Sequence, residues 1–281
     1  MLEAVLIPAL AVTGIGLICA AVLVAAAKFM SVKENELEKN IRECLPGANC
    51  GACGYSGCDG YAKALANDPD VKTNLCIPGG DKVSKDISDM LGKAFEDTVE
   101  QVATVRCGGD CGHTGKKLEY HGIDTCEAVK MLYGGDGMCS FGCLGRGDCA
   151  RVCPEGAICV EDGLARVDFR KCIGCGLCAA ACPQKIISMM PDVKRQVVVC
   201  SNREKGAVAR KKCTAACIAC GKCEKNCPTG AIAVSGNLAE IDYDKCTDCG
   251  KCAEVCPVGC IKTADYSGKH RENEKQIPNE K

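Results

Sequence analysis

The sequence predicts an α+β protein in which one N-terminal apolar helix is followed by small cysteine-rich modules. Three observations lead to this fold class: an uncharged apolar run near the N-terminus, 29 Cys among 281 residues, and a repeat at a spacing of 74 residues. The chain has no Trp, four Phe and six Tyr, which leaves few bulky side chains for a core. We therefore expect metal ligation to supply part of the folding free energy.

The apolar run at residues 4–27 contains no charged residue. It exceeds the roughly 20 residues that cross a bilayer as a helix, so residues 1–30 are predicted to be a transmembrane anchor. A cleaved signal peptide is the alternative, but it would need a basic segment ahead of a shorter apolar run, and only Glu3 precedes this one. Because Lys28 and Lys33 follow the run, we expect a single-pass protein of the inner (cytoplasmic) membrane, in contact with the lipid bilayer, whose cysteine-rich part is cytoplasmic.

Two copies of one module lie in tandem in the C-terminal half. Each copy predicts two short strands joined by a turn, at residues 157–171 and 231–245. Subtracting 74 from the later cysteine positions also places Cys213 over Cys139 and Cys200 over Cys126. The main set of later cysteines is Cys217, Cys223, Cys227, Cys246, Cys249, Cys252 and Cys256, and it maps without a gap onto Cys143, Cys149, Cys153, Cys172, Cys175, Cys178 and Cys182.

The motif C-x2-C-x2-C-x3-C-P occurs three times. Its copies begin at Cys172, Cys217 and Cys246. Zinc sites with four cysteines are the structural alternative, but they normally use two separated C-x2-C pairs. Three cysteines at two-residue gaps followed by Cys-Pro instead resemble the bacterial two-cluster ferredoxin.

In that family the first three cysteines of a motif bind one [4Fe–4S] cluster and the fourth binds the other. The resemblance therefore implies three regular clusters. Their ligands would be Cys217, Cys220, Cys223 and Cys256; Cys227, Cys246, Cys249 and Cys252; and Cys153, Cys172, Cys175 and Cys178.

The remaining site of the first module departs from the motif. Arg146 stands where the second module has Cys220, so one ligand is missing. Cys139 is the predicted replacement, which gives the set Cys139, Cys143, Cys149 and Cys182. A [3Fe–4S] centre with three cysteines is the alternative.

A further site is predicted between residues 31 and 96. Three cysteines lie close together and a fourth follows a gap: Cys50, Cys53, Cys58 and Cys76. Glycines at 51, 54 and 57 let the backbone approach the sulfurs and direct N–H groups at them. A helix is expected after Cys58. This spacing alone leaves zinc open as the bound metal.

With its flanking residues, the segment LPGANCGACGYSGC resembles the single-cluster domain found in the Rnf complex, an ion-translocating ferredoxin:NAD oxidoreductase, within the member of that complex designated B. That family has a transmembrane helix, this domain and one or more ferredoxin modules. The resemblance implies that the chain accepts electrons from soluble reduced ferredoxin and passes them to other subunits of a membrane complex. Those subunits would reduce NAD+ and move Na+ or H+. An iron–sulfur subunit of a hydrogenase or formate dehydrogenase complex is the alternative function.

Other classes of function are not favoured. The chain has neither a G-x-x-x-x-G-K-[ST] loop nor a G-x-G-x-x-G after a plausible strand, so we expect no bound nucleotide. A net charge of −1 gives no reason to expect nucleic acid binding. We expect an electron relay without catalytic residues, because the redox change would occur at the clusters.

At least five clusters are thus predicted, and a sixth is a hypothesis. Its ligands would be Cys107, Cys111 and Cys126, with Cys200 or Cys213 as the fourth. Buried free thiols are the alternative, and His113 beside Cys111 is a second alternative ligand.

The predicted boundaries follow from these motifs. Residues 97–138 form a cysteine-containing connector, 139–190 and 213–262 the two ferredoxin modules, 191–212 a basic linker, and 263–281 a flexible tail. The basic residues of the linker are Arg203, Lys205, Arg210, Lys211 and Lys212, which would either attract an acidic ferredoxin or form an ordinary solvated surface.

Overall fold

The computed structural model describes residues 2–29, 35–193 and 195–265. Its α-helices are short except for the first. They are α1 (Leu2–Phe29), α2 (Glu36–Cys44), α3 (Cys58–Asn67), α4 (Gly80–Leu91), α5 (Cys126–Met131), α6 (Asp148–Arg151), α7 (Leu177–Ala181), α8 (Gly206–Lys212), α9 (Lys222–Lys225) and α10 (Lys251–Glu254).

The strands form two-stranded antiparallel sheets. They are β1 (Gln101–Val105), β2 (Ile158–Glu161), β3 (Leu164–Val167), β4 (Ile187–Pro191), β5 (Arg195–Val198), β6 (Ile232–Ser235), β7 (Leu238–Ile241) and β8 (Ile261–Ala264). β2 pairs with β3 and β6 with β7, which confirms the hairpins predicted from the repeat. β1 pairs with β4, and β5 pairs with β8.

The N-terminal helix corrects one prediction. Helix α1 has described side chains only at residues 13–26, a stretch shorter than the roughly 20 residues that a transmembrane helix needs. Over the described part of the chain, no helix meets the length and hydrophobicity that crossing a membrane requires. The predicted transmembrane anchor at residues 1–30 is contradicted by this finding.

Helices α2, α3 and α4 enclose a small core that follows α1. Ile41, Tyr61 and Ile87 are its most buried large side chains, each at most 1% exposed. The Tyr61 hydroxyl donates a hydrogen bond of 2.7 Å to the carbonyl of Lys72, which satisfies its polar atom inside the core. This core holds the loop of residues 49–58 in place, and helix α3 begins at Cys58 as the sequence predicted.

The two modules are equivalent in structure. Val105 pairs with Ile187 in the first module, and Val198 pairs with Ile261 in the second. The later strand of each pair follows the repeat spacing (261 − 187 = 74), but the earlier strands are offset by 198 − 105 = 93 residues. The first module therefore contains 19 additional residues (93 − 74) between β1 and Cys139. The predicted connector contains β1, and the predicted linker contains β5 and α8. From residue 266 onward the predicted tail lies outside the described residues.

Candidate iron–sulfur cluster sites

The four cysteines of the N-terminal site lie together at the base of the helical core. Burial raises the pKa of Cys76 to about 11, and the thiolates of the other three members contribute to the rise. The backbone N–H of Cys58 donates to the Asn49 side chain at 2.9 Å. Gly57, with a φ of +132°, makes the turn into α3 in a conformation that favours glycine. The members of this site are Cys50, Cys53, Cys58 and Cys76.

Three regular sites occupy the two modules, as the ferredoxin pattern implied. Site 1A is Cys153, Cys172, Cys175 and Cys178, whose thiolates act on one another. Site 2A is the cavity lined by Cys227, Cys246, Cys249 and Cys252. Site 2B is the cavity lined by Cys217, Cys220, Cys223 and Cys256.

Backbone N–H groups surround these sulfurs at equivalent positions of the two modules. The N–H of Ala157 donates to the Cys153 sulfur at 3.3 Å, and the N–H of Ala231 donates to Cys227 at 3.3 Å. Strand β1 adds a bond of 3.4 Å from the N–H of Ala103 to Cys172. Such bonds stabilise negative charge on a cluster and its thiolates.

Site 1B differs from the sequence prediction in its fourth member. Its cavity is lined by Cys126, Cys143, Cys149 and Cys182, and the structure places Cys139 elsewhere. Helix α5 begins at Cys126, capped by the Thr125 hydroxyl, which accepts from the N–H of Ala128 at 3.1 Å. Burial raises the pKa of Cys149 to about 12, with the thiolates of Cys143 and Cys126 adding to the effect.

Arg146 holds the additional segment of the first module in place. Its guanidinium lies 2.8 Å from Asp124 and 2.8 Å from Asp136, and the Asp136 side chain is 4% exposed. Arg146 occupies the repeat position of Cys220, so a ligand position has become an anchor for the segment that contains Cys126.

Cys139 lies instead in a fourth cavity, with Cys107, Cys200 and Cys213. The sequence-based hypothesis of a sixth site groups Cys107 with Cys111 and Cys126, and the structure does not bring these three together. Cys111 is exposed and does not line this cavity. His113 does not line it either, and its Nδ1 lies 2.7 Å from an Asp110 oxygen. Strand pairing of β1 and β5 is the signal that finds this grouping, because Cys107 and Cys200 each lie two residues after the strand.

The donor set and the shape of the cavities fit [4Fe–4S] clusters. All 29 cysteines of the described chain are free thiols. Within the described residues no group of three or more His, Cys, Asp or Glu side chains is placed to bind a single metal ion. A four-iron cluster is larger than an ion, so its thiolates surround a space instead of meeting at one point. The four cavities, each of about 310 to 380 Å³ with their open mouths included, have that arrangement.

The electrostatics also fit metal-bound thiolates. Burial raises the pKa of Cys178 to about 11, so without metal this thiol stays protonated at neutral pH. Metal binding would displace the proton. At Cys227 burial also raises the pKa, but hydrogen bonds from Thr229 and Ala231 outweigh it and lower the pKa to about 7.

The predicted basic patch is partly neutralised. Arg203 lies 2.6 Å from Glu240, and Lys212 forms an ion pair with Glu204. Arg210 and Lys211 are exposed on α8. The charge available to a partner is therefore centred on this helix.

Two family models match the chain. The model described as "Putative Fe-S cluster" matches residues 45–78, and the model described as "4Fe-4S dicluster domain" matches residues 171–231 and 216–260. The chain therefore contains iron–sulfur cluster domains of the predicted kinds.

Relatives of established name extend over most of the chain, and each is the B component of an oxidoreductase complex. That of the Na(+)-translocating ferredoxin:NAD(+) oxidoreductase complex of Acetobacterium woodii is 42% identical over 88% of this chain and 74% of the relative. That of the proton-translocating ferredoxin:NAD(+) oxidoreductase complex of Clostridium ljungdahlii is 44% identical over 83% of each chain. The chain belongs to this family of B components. That of the ion-translocating oxidoreductase complex of Methanosarcina acetivorans is 38% identical over 87% of this chain and 93% of that protein. The resemblance inferred from LPGANCGACGYSGC is thus confirmed.

Proposed function

We propose that this protein accepts electrons from reduced ferredoxin and relays them within a complex that reduces NAD+ while moving Na+ or H+ across a membrane. The single observation that carries the proposal is the series of cavities lined by cysteines, in a chain whose relatives are named for this reaction. Which ion moves is a property of the whole complex. We propose that the chain associates with the membrane through that complex.

Five sites are proposed to hold [4Fe–4S] clusters: the N-terminal site, 1A, 1B, 2A and 2B. For site 1B we propose Cys126 as the fourth ligand in place of Cys139, because Cys126 lines the cavity with Cys143, Cys149 and Cys182. When bound, a [4Fe–4S] cluster takes up and gives back single electrons. The chain itself supplies thiolates, excludes water and directs N–H groups at the sulfurs, and these factors set the reduction potentials.

The order of the sites supports a relay. Burial raises the pKa of Cys175, and the thiolate of Cys50 in the N-terminal site contributes, so these two sites are neighbours. At the same contact, a Cβ on Gly174 would lie 2.8 Å from Ile77, which follows Cys76. The N-terminal site therefore adjoins site 1A of the first module.

A docking surface for ferredoxin is proposed at α8. Arg210 and Lys211 are exposed there, and ferredoxins are commonly acidic. Opposite charges speed encounter between two proteins and lose their effect as salt rises. In each transfer ferredoxin would be oxidised by one electron and this protein reduced by one.

The proposal is tested by purifying the full chain without oxygen and measuring iron, acid-labile sulfide and zinc. Five clusters require about 20 irons and equal sulfide per chain, with bleaching of visible absorption when reduced ferredoxin is added. Zinc in place of iron would overturn the relay. Loaded clusters that reduced ferredoxin cannot bleach would overturn the assignment of the donor.

A further inference from the structure

We propose that the cavity between the two modules is a sixth [4Fe–4S] site, with two ligands from each module. We name it the shared site, and its ligands are Cys107, Cys139, Cys200 and Cys213. The identity of the bound group rests on the proposed function, whereas the grouping of the four thiols is independent of it. Neither family model assigns this site, because their matches end at residue 78 and resume at residue 171, leaving Cys107 and Cys139 outside.

The cavity resembles those of the regular ferredoxin sites. It encloses about 330 Å³, compared with about 320 Å³ at site 2A and about 310 Å³ at site 2B. Four sulfurs line it, and the other side chains and backbone around it are mostly small or apolar, including Gly108, Gly109 and Ala216. Cys200 and Cys213 are buried, and Cys107 and Cys139 are partly buried.

The four thiols form two equivalent pairs. The strand registers equate Val105 with Val198, so Cys107 and Cys200, each two residues further on, are equivalent at an offset of 93. The repeat spacing of 74 equates Cys139 with Cys213. Each module thus contributes the same two positions, and the shared site has an approximate two-fold relation between its halves.

Hydrogen bonds to the sulfurs repeat the same relation. The N–H of Cys143 donates to the Cys107 sulfur at 3.4 Å, and the equivalent N–H of Cys217 donates to the Cys200 sulfur at 3.3 Å. The backbone N–H groups of Gly109 and Asn202, which are equivalent at the offset of 93, also bind Cys107 and Cys200. Paired N–H donors on paired sulfurs are the environment that the regular sites provide for their thiolates.

Gly109 and Asn202 also approach the second sulfur of the opposite module. The Asn202 side-chain amide donates to the Cys139 sulfur at 3.3 Å. On the other side, a Cβ added to Gly109 would lie 3.0 Å from the Cys213 sulfur and 3.8 Å from the Cys107 sulfur. A side chain at position 109 would therefore displace sulfurs of the site, which explains why this half uses glycine.

The shared site lies between the modules in the series of sites. Its bond from Cys143 joins it to site 1B, and its bond from Cys217 joins it to site 2B. Without a group bound there, the two modules would be separated by a gap in the series.

The test uses the full chain, purified without oxygen, with iron, sulfide and zinc measured per chain. The shared site predicts about 24 irons in the wild type, and about 20 in the C107S/C139S and C200S/C213S variants. The exposed cysteines Cys111 and Cys159 provide matched controls, because C111S and C159S should retain about 24 irons. Mössbauer and EPR spectra should show the loss of one cluster while the others remain.

Two results would overturn the proposal. One is about 20 irons in the wild type, with no change in the paired variants. The other is about 20 irons plus one zinc, which would make the shared site a structural zinc site while the relay stands. If the paired variants fail to fold, G109V gives the same test, since it should lose about four irons without removing a thiol.

Discussion

At the scale of single residues, site 1B illustrates how a ligand can be replaced from another part of the chain. Arg146 stands at the repeat position of Cys220 and pairs with Asp124 and Asp136. These carboxylates belong to the additional segment of the first module, which also carries Cys126. The residue that removed one thiolate therefore helps to position the segment that supplies another.

This replacement predicts a rescue. The variant C126S should lose close to one cluster, about four irons per chain, because site 1B then keeps three thiolates. Adding R146C should restore the lost iron, since the thiolate would return to the position that Cys220 has in site 2B. Iron content and the EPR spectrum of the reduced protein measure both effects. Restoration in C139S/R146C but not in C126S/R146C would contradict the assignment of Cys126.

Asn202 gives a second prediction at this scale. Its amide donates to the Cys139 sulfur, and the side chain is 1% exposed. Removing the donor in N202A should lower the reduction potential of one cluster, because the added electron loses a stabilising N–H dipole. A redox titration followed by EPR should show one component displaced and the others unchanged. A titration identical to that of the wild type would contradict this role.

At the scale of elements, the additional segment between β1 and Cys139 distinguishes the two modules. Cys107 and Cys139 are 32 residues apart, whereas Cys200 and Cys213 are 13 apart. The longer connection holds α5 and the ion pairs of Asp136 with Arg146 and Lys116. Its stability should depend on these ion pairs, because α5 is too short to be stable alone.

Asp136 tests this dependence. Burial raises the pKa of Asp136, but hydrogen bonds from Lys116 and Arg146 outweigh burial, so the pKa is lowered overall. The charged carboxylate therefore stabilises the fold above its ordinary pKa of 3.8, and this contribution is lost as the pH falls through the lowered value.

The variant D136N should destabilise the segment by about 1–3 kcal/mol at neutral pH, because Arg146 loses its buried partner. Faster hydrogen exchange at backbone amides of residues 115–138 would report the change. The control D124N should have a smaller effect, since the Asp124 side chain is 73% exposed. Equal exchange in both variants would contradict the prediction.

The additional segment also marks the limit of what the sequence alone could predict. The hairpins, the helix at Cys58 and the regular motifs follow from local patterns, and the structure has them. The spacing of 74 placed Cys200 over Cys126, because it assumed a repeat without insertion. Only the registers of β1 with β4 and β5 with β8 reveal that Cys107 is the equivalent of Cys200. Long-range pairing of this kind has no local signal in a single sequence.

At the scale of the whole molecule, the proposed sites form one continuous series. It runs from the N-terminal site through 1A and 1B to the shared site, and then through 2B to 2A. Contacts join neighbouring sites along it: Cys50 with Cys175, Cys143 with Cys107, and Cys217 with Cys200. Electrons that enter near α8 would therefore meet the middle of the series.

Docking at α8 is testable by charge reversal. The variant R210E/K211E should slow electron uptake from ferredoxin by about tenfold at low ionic strength, with the difference shrinking as salt rises. Lys82 and Lys85 on α4 are also exposed, so K82E/K85E matches the change in charge at another surface. Stopped-flow measurement of cluster reduction gives the rates. Equal slowing in both variants would mean that net charge, and not this surface, controls the encounter.

The two-fold construction of the shared site also bears on how the protein is made. Cys107 and Cys139 leave the ribosome before Cys200 and Cys213, and each pair supplies only half of the proposed ligands. N-terminal domains generally fold first during synthesis. The first module would thus wait with two open thiols until its twin has folded against it. Assembly of the last cofactor would then report that translation has finished and that both halves have met.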